Sequence, residues 1–336
     1  MKKKGILLIN TGTPSAPTVK AVRKYLGQFL MDPYMLDMPF LMRWLLVHGI
    51  ILRTRPRHSA RLYKEIWTPQ GSPLTVISEK QRSSLSKQTG LPAALGFRYG
   101  TPSIKEGLEA LLEQGCDTII GFALFPQYSL ATTESVLVQL EADSRRAARP
   151  HKLEIIPPFW NHPPYLNAWI ESVKKNLPRD FDHLLVSFHG LPERHIQKAD
   201  PTGHTCLKSP DCCRNASGKV LDRCYRAQTI RMTQALNQAL GLREDQYTLC
   251  YQSRLGKAPW LSPYTQETAT RLARSGVRHL AIVAPSFVSD CLETLHGIQV
   301  EIREAFLESG GKEFSYLPCL NESTEWMSQI VSEMNG

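Results

Sequence analysis

His183-Leu-Leu-Val-Ser-Phe-His-Gly190 is an apolar run that stops at an imidazole and a glycine, and three other stretches of the chain share its plan. Gly5-Ile-Leu-Leu-Ile-Asn-Thr-Gly12 ends in a small polar turn, while Gly115-Cys-Asp-Thr-Ile-Ile-Gly-Phe-Ala-Leu-Phe-Pro126 and Gly276-Val-Arg-His-Leu-Ala-Ile-Val-Ala-Pro285 are Gly-led and end in proline. Runs this continuously apolar are what parallel strands look like when a sheet is covered on both faces. Helical stretches lie between them, so the chain reads as two alternating β/α units with right-handed crossovers, facing each other across a cleft. The Pro-rich stretch Ile156-Pro-Pro-Phe-Trp-Asn-His-Pro-Pro-Tyr165 suits a linker and divides residues 1–160 from 161–336.

The bulk composition bounds the possibilities. With 336 residues, 42% hydrophobic and 21% charged, the chain can bury a large core and is not a disordered class. A formal net charge of +9 favours anionic partners: nucleic acid, a lipid surface or a carboxylated ligand. Nucleic-acid binding calls for basic residues with interleaved aromatics on one element. The dense basic patch is Arg53 to Arg61, beside apolar residues, so no nucleic-acid partner is expected. Met1-Lys2-Lys3-Lys4 has the look of an export n-region, but the apolar run after it stops at Asn10, which makes it a first strand and places the protein in the cytoplasm.

One segment departs from the β/α plan. Met35 to Leu52 is strongly apolar, is interrupted by Asp37 and Arg43, and is followed by Arg53, Arg55, Arg57 and His58. It is too short to span a bilayer, which takes ~20 apolar residues. An apolar helix beside a basic cluster suits a membrane surface or the lip of an apolar pocket, and equally a buried helix with a basic cap.

In open α/β sheets ligands collect beyond the carboxyl ends of the strands, which points to Asn10–Pro14, Pro126–Thr133, Ser187–Pro192 and Pro285–Glu293. His189 ends a predicted strand, and Asp290 and Glu293 follow the last strand of the same half, three residues apart and so on one face of a helix. An imidazole opposed to carboxylates can bind a borderline divalent metal such as Fe(II) and can accept protons near neutral pH. Metallating a free-base porphyrin needs both, in a pocket that is apolar and aromatic with cations at its rim. Asn10, Arg98, Tyr99, Tyr128, Trp260 and the 35–52 segment are the candidates for that lining.

Eight cysteines in a chain with no export signal are reduced thiols or metal ligands. Cys116, Cys250, Cys291 and Cys319 are scattered through apolar stretches and read as small buried hydrophobes. Cys206, Cys212, Cys213 and Cys224 fall within 19 residues of a Gly-, Pro- and Ser-containing insertion, residues 201–224. Zinc prefers paired Cys-x-x-Cys knuckles, which are missing; the adjacent pair with uneven outer spacing fits a 2Fe-2S cluster better, with zinc or no metal as the alternatives. His204 is an outside candidate.

Taken in order, these strings resemble the ferrochelatase family over residues 5–335: Leu8-Ile9-Asn10-Thr11-Gly12-Thr13-Pro14, Ile66-Trp67-Thr68-Pro69-Gln70-Gly71-Ser72-Pro73-Leu74, Arg98-Tyr99-Gly100, Pro126-Gln127-Tyr128-Ser129, Ser187-Phe188-His189-Gly190-Leu191-Pro192, Gln252-Ser253-Arg254-Leu255-Gly256 and Asp290-Cys291-Leu292-Glu293-Thr294-Leu295. The resemblance implies a chelatase-like α/β fold of two Rossmann-like, doubly wound domains, each with a parallel four-stranded sheet, the last helix packing back on the first domain. It implies insertion of Fe2+ into protoporphyrin IX, with coproporphyrin III, or sirohydrochlorin with cobalt or nickel, as alternative substrates. His189 and Glu293 would act from opposite sides of the macrocycle, as proton acceptor and metal path, supported by Asp290. Arg98, Tyr99 and Tyr128 match pocket positions, Trp260 an aromatic beside the macrocycle, and 35–52 the lip that meets the inner face of the cell membrane. Some members carry a 2Fe-2S cluster, although cluster-free relatives often have a cysteine near Cys224. A monomer and a homodimer both fit. Where relatives usually have an acidic residue after Glu-Thr-Leu, this chain has His296-Gly297, which puts a longer acidic relay in doubt.

Overall fold

The computed structural model describes residues 3–334 apart from Leu255 and Lys257, so Leu255 of the Gln252–Gly256 string lies outside the described residues. The chain forms two compact units, one of residues 1–125, 130–158 and 327–336, the other of 126–129 and 159–326.

The first unit holds β1 (Lys4–Asn10), β2 (Ala93–Phe97), β3 (Thr118–Ala123) and β4 (Lys152–Ile155), all parallel in the order β2-β1-β3-β4. Ile6 to Ile9 are at most 1% exposed, as expected for a central strand covered on both faces. Its helices are α1 (Val19–Leu30), α2 (Phe40–Trp44), α3 (Leu52–Ile66), α4 (Pro73–Thr89), α5 (Ile104–Glu113) and α6 (Ser135–Arg146). Start and stop signals are local: Thr18 caps α1, Ser103 and Glu106 form a reciprocal capping box on α5, and Gly90 ends α4 in the left-handed region at φ 68°.

The apolar 35–52 stretch includes α2 and a π-helical passage, Leu45–Ile51, that runs into α3. Pro56 lies inside α3 and has no N–H for the carbonyl of Leu52 four residues back. Arg23 Nε on α1 donates to that carbonyl at 3.1 Å, so the helix continues through the proline. Arg43 turns inward: it is buried, with Nη1 donating to the carbonyls of Leu36 at 3.2 Å and Met38 at 3.0 Å. The charge that seemed to interrupt the apolar surface is thus withdrawn, and Phe40, Leu41, Met42, Trp44, Leu45 and Ile50 are 45–66% exposed. Among the described residues, no helix is long and apolar enough to cross a membrane.

The second unit repeats the first with β5 (His183–His189), β6 (Tyr247–Gln252), β7 (His279–Val283) and β8 (Glu313–Tyr316), parallel in the order β6-β5-β7-β8. Its helices are α7 (Pro163–Asn176), α8 (Glu193–Ala199), α9 (Gly218–Arg223), α10 (Tyr225–Leu240), α11 (Thr265–Arg274) and α12 (Arg303–Glu308). Helix α12 continues a π-helical passage, Glu293–Ile302. The core gathers Leu185, Cys250, Ala269, Leu280, Ile282, Ile298 and Phe306. Full burial of an aliphatic or phenyl side chain stabilises by about 1.5–3 kcal/mol each, before conformational entropy is set against it. A final helix, α13 (Glu325–Glu333), begins at the end of the second unit, and residues 327–336 belong to the first.

Candidate active site

The strand order of the second sheet reverses between β5 and β7, the position at which a doubly wound sheet opens a crevice at its carboxyl edge. His189 is the last residue of β5. Its N–H donates to Ser286 Oγ at 3.0 Å, just past β7, and its carbonyl accepts from the phenol of Tyr225 at 2.8 Å. Gly190 N–H donates to the Gln252 carbonyl at 2.8 Å. A Cβ at Gly190 would lie 2.7 Å from that oxygen and 3.3 Å from Cε3 of Trp260, so a side chain there would force β5 and β6 apart.

With its backbone held, the His189 ring places Nδ1 2.7 Å from the Gly190 carbonyl. A carbonyl only accepts, so Nδ1 carries the proton and Nε2 presents a lone pair. The ring meets Phe287 edge-on at 6.2 Å. Trp260 is half-buried, and its indole N–H is shielded from solvent with no acceptor among the described residues.

Glu293 opens the π-helical passage, a departure from α-geometry that recurs at functional sites. Gln252 Nε2 donates to the Glu293 carbonyl at 3.0 Å, and Gln252 Oε1 accepts from Ser187 Oγ at 2.8 Å, so one buried amide joins β5 to the start of that helix. The Cys291 thiol lies against the Glu293 carboxylate; burial first, and then that negative charge, push it well above the ordinary thiol range and keep it a donor.

Asp290 does not share a helix face with Glu293: it precedes the helix, and its carboxylate is turned into the protein. Oδ1 accepts from Thr294 Oγ1 at 2.8 Å and Tyr316 Oη at 2.5 Å, and Oδ2 from Asn321 Nδ2 at 2.6 Å. Its own N–H returns a bond to Asn321 Oδ1 at 2.8 Å. Burial raises the Tyr316 phenol, which stays a donor. Asp290 therefore anchors the turn that presents Glu293.

Tyr128 sits in the same unit. Arg223 stacks on its ring at 5.0 Å and donates from Nη2 to its hydroxyl at 2.5 Å, and Gln228 Oε1 accepts its backbone N–H at 2.7 Å. Arg223, Cys224 and Tyr225 are consecutive, so one tripeptide touches Tyr128, supplies a thiol of the cysteine group and holds the His189 carbonyl.

Cys206, Cys212, Cys213 and Cys224 are all buried, at 2–6% exposure, in a loop of turns between α8 and α10. Sγ of Cys212 and Cys213 are 3.8 Å apart, and Cys224 lies against both Cys213 and Cys206. The Cys224 thiol is brought down to about 6, first because Cys213 donates to it; Cys213 is raised by giving that bond, and Cys206 first by burial. Among the described residues, no three of these sulfurs lie within 4.8 Å of one another. A zinc ion ~2.3 Å from four thiolates would hold all of them within about 3.8 Å. The loop is closed by Asp200. Burial alone would raise its carboxyl, but bonds from the N–H groups of Cys206, Thr202 and Thr205 and the Thr202 hydroxyl hold it far below the usual range. His204 is exposed, its Nδ1 2.7 Å from the Thr202 carbonyl.

The other candidates lie in the first unit and form one network. Asp32 is 4% exposed, and its Oδ2 accepts from Arg98 Nη2 at 2.6 Å, Tyr99 Oη at 2.8 Å and Ser135 Oγ at 2.6 Å. Arg98 Nε donates to Ser135 at 2.8 Å. Burial, with Asp32 second, raises the Tyr99 phenol. Asn10 closes β1: its carbonyl accepts from Arg98 N–H at 2.9 Å, and its side-chain oxygen from Thr11 N–H at 2.7 Å. Gly12, at φ 99°, lies so near the Tyr99 carbonyl that a Cβ would collide with it. Tyr99 and Asn10 thus support Arg98 more than they offer free polar groups.

The sequence reading did not single out Asp32, Gln252 as a tether, Arg223, Tyr225 or Ser286. Their partners lie 36 to 103 residues away, and no local pattern carries such pairings.

Comparison with known proteins follows the same line. The family profile described as ferrochelatase matches residues 3–335. A ferrochelatase of Stutzerimonas stutzeri is 45% identical over 98% of this chain and 97% of its own length, and one of Azotobacter vinelandii 44% identical over 98% of each. Among solved structures, SirB of Bacillus subtilis with Fe3+ superposes with a TM-score of 0.53 over 98% of this chain and 95% of its own, at 11% identity, which speaks to the two-sheet fold alone. With its fold, its motifs and near-complete coverage by these relatives in agreement, this chain belongs to the ferrochelatase family.

Proposed function

We propose that the chain inserts Fe(II) into protoporphyrin IX to give protohaem. Two pyrrole N–H bonds break, four iron–nitrogen bonds form, two protons leave and no electron changes hands. The observation that carries this reading is the imidazole of His189: with Nδ1–H bound to the Gly190 carbonyl, Nε2 is a fixed base at the carboxyl edge of the second sheet. Glu293, on a helix start tethered through Gln252, supplies the carboxylate that accompanies the metal or a proton. The sirohydrochlorin alternative rests on a likeness of fold at 11% identity, whereas sequence relatives at 44–45% are ferrochelatases.

Protoporphyrin is favoured over coproporphyrin by the exposed apolar surface of residues 40–50, since coproporphyrin carries two further carboxylates that call for cations. The same surface, with Arg53, Arg55 and Arg57 exposed after it, supports peripheral contact with an anionic membrane. The four buried thiols, gathered in one loop with Cys212 and Cys213 adjacent and Cys224 against both Cys213 and Cys206, suit a 2Fe-2S cluster held by Cys206, Cys212, Cys213 and Cys224. When bound, such a cluster cross-links the loop and places an electron acceptor in it. The residues themselves fix its frame through Asp200 and α10.

Competition between equimolar protoporphyrin IX, coproporphyrin III and sirohydrochlorin, with anaerobic Fe(II) and products separated by chromatography, tests the assignment. Protohaem as the main product supports it. Metallation of either other tetrapyrrole in preference would transfer the fold to a different substrate.

A further inference from the structure

Asp180, His279 and Glu313 form a second group of metal-ligating side chains, at the edge of the second sheet opposite His189. His279 and Glu313 are the first residues of β7 and β8 and are register partners, and Asp180 lies in the turn that leads into β5. β5 has seven residues between the two edges, so the group is roughly 20 Å from the chelation chemistry and serves no part of it.

The His279 ring is 90% buried. Nε2 is 2.8 Å from Ser315 Oγ, and the backbone N–H donates to Asp182 at 2.8 Å, so ring and main chain are both fixed. Nδ1 is shielded from solvent, has no hydrogen-bond partner among the described residues and is directed at Asp180 Oδ1, 3.5 Å away, and Glu313 Oε2, 3.7 Å away. These separations exceed a hydrogen bond, ~2.7–3.2 Å. They match the edge of a coordination polyhedron, since ligands ~2.0–2.1 Å from a tetrahedral ion are about 3.3–3.4 Å apart. With Ser315 fixing Nε2, the ring has the outer-shell support that metal-bound histidines commonly have.

We infer that Asp180, His279 and Glu313 bind a divalent first-row metal ion that ties the β7 and β8 starts to the turn before β5. One imidazole and two carboxylates suit Mn2+, Fe2+ or Zn2+ better than a thiophilic ion. The role is structural.

The test counts Mn2+ bound per chain by electron paramagnetic resonance, because Mn2+ has little affinity for thiols and bypasses the cysteine group. The full chain carries His189→Ala and Glu293→Gln so that the substrate-metal path does not contribute, with and without Asp180→Asn and Glu313→Gln. Both test carboxylates are exposed, so folding is not at risk. The expected result is one more Mn2+ per chain with the carboxylates intact, and a Mn2+-dependent rise in the unfolding temperature that the neutralised variant lacks. Equal counts in the two proteins would overturn the assignment.

Discussion

The phenol of Tyr225 donates a hydrogen bond of 2.8 Å to the carbonyl of His189, so α10 grips the residue whose imidazole is the proposed base. Two residues earlier Arg223 binds the hydroxyl of Tyr128, and between them stands Cys224. The junction of α9 and α10 thus joins the cysteine loop to two residues of the candidate site.

Tyr225→Phe removes a part-buried hydrogen bond and leaves the His189 carbonyl without its phenol donor. A loss of about 1–3 kcal/mol in stability follows. Denaturant unfolding measures it, and steady-state kinetics should show kcat falling more than porphyrin KM changes, because the imidazole loses its support while the macrocycle's other contacts remain.

Asp290→Asn keeps the size of the side chain but sets an amide donor against the Asn321 amide or against the donors from Thr294 and Tyr316. One mismatched buried pair costs about 1–3 kcal/mol. The expected outcome is a lower unfolding temperature together with a reduced kcat, read by thermal melts and single-turnover haem formation. Unchanged stability would remove Asp290 from its anchoring role.

Arg98→Lys tests whether the first-unit network depends on shape or on charge. Lys offers one point charge where Arg uses Nε for Ser135 and Nη2 for Asp32. The substitution should destabilise, and Arg98→Leu should cost more, on the order of 3–5 kcal/mol, because it strands the buried Asp32 carboxylate.

The capping box of α5 makes a pH prediction. Glu106 accepts the N–H of Ser103, which holds its carboxyl below the usual range. A carboxyl lowered on folding contributes stability that is fully present above its unfolded value, ~4.3, and is lost as pH falls through the lower folded value. Ser103→Ala should cost about 0.5–2 kcal/mol at neutral pH. Glu106→Gln should flatten the acid limb of the stability curve, measured by denaturant titration between pH 3 and 7.

Much of the fold is written locally. Ile6 to Ile9 and Leu184 to Val186 are apolar without interruption because both faces of β1 and β5 are covered, and that continuity is visible in one dimension. The edge strands β4, Lys-Leu-Glu-Ile, and β8, Glu-Phe-Ser-Tyr, are four residues long and only partly covered, so their pattern is too short and too mixed to read. His189 at a strand end is legible from the run before it. That Asp290 leaves the helix and faces inward is not, because its partners Tyr316, at the end of β8, and Asn321, after it, lie 26 and 31 residues away. The inward turn of Arg43 is hidden for a related reason: its acceptors are backbone carbonyls, which every sequence has.

In the proposed chemistry His189 is the base that receives pyrrole protons as iron enters. This role is tested most directly by anaerobic stopped-flow absorbance of protoporphyrin and Fe(II) with wild type and His189→Ala, porphyrin affinity being measured separately by fluorescence. Equal porphyrin affinity is expected, with haem formation slowed by about 10²–10⁴-fold in the variant, the range for loss of a positioned base. Haem formation by His189→Ala at the wild-type rate would contradict it.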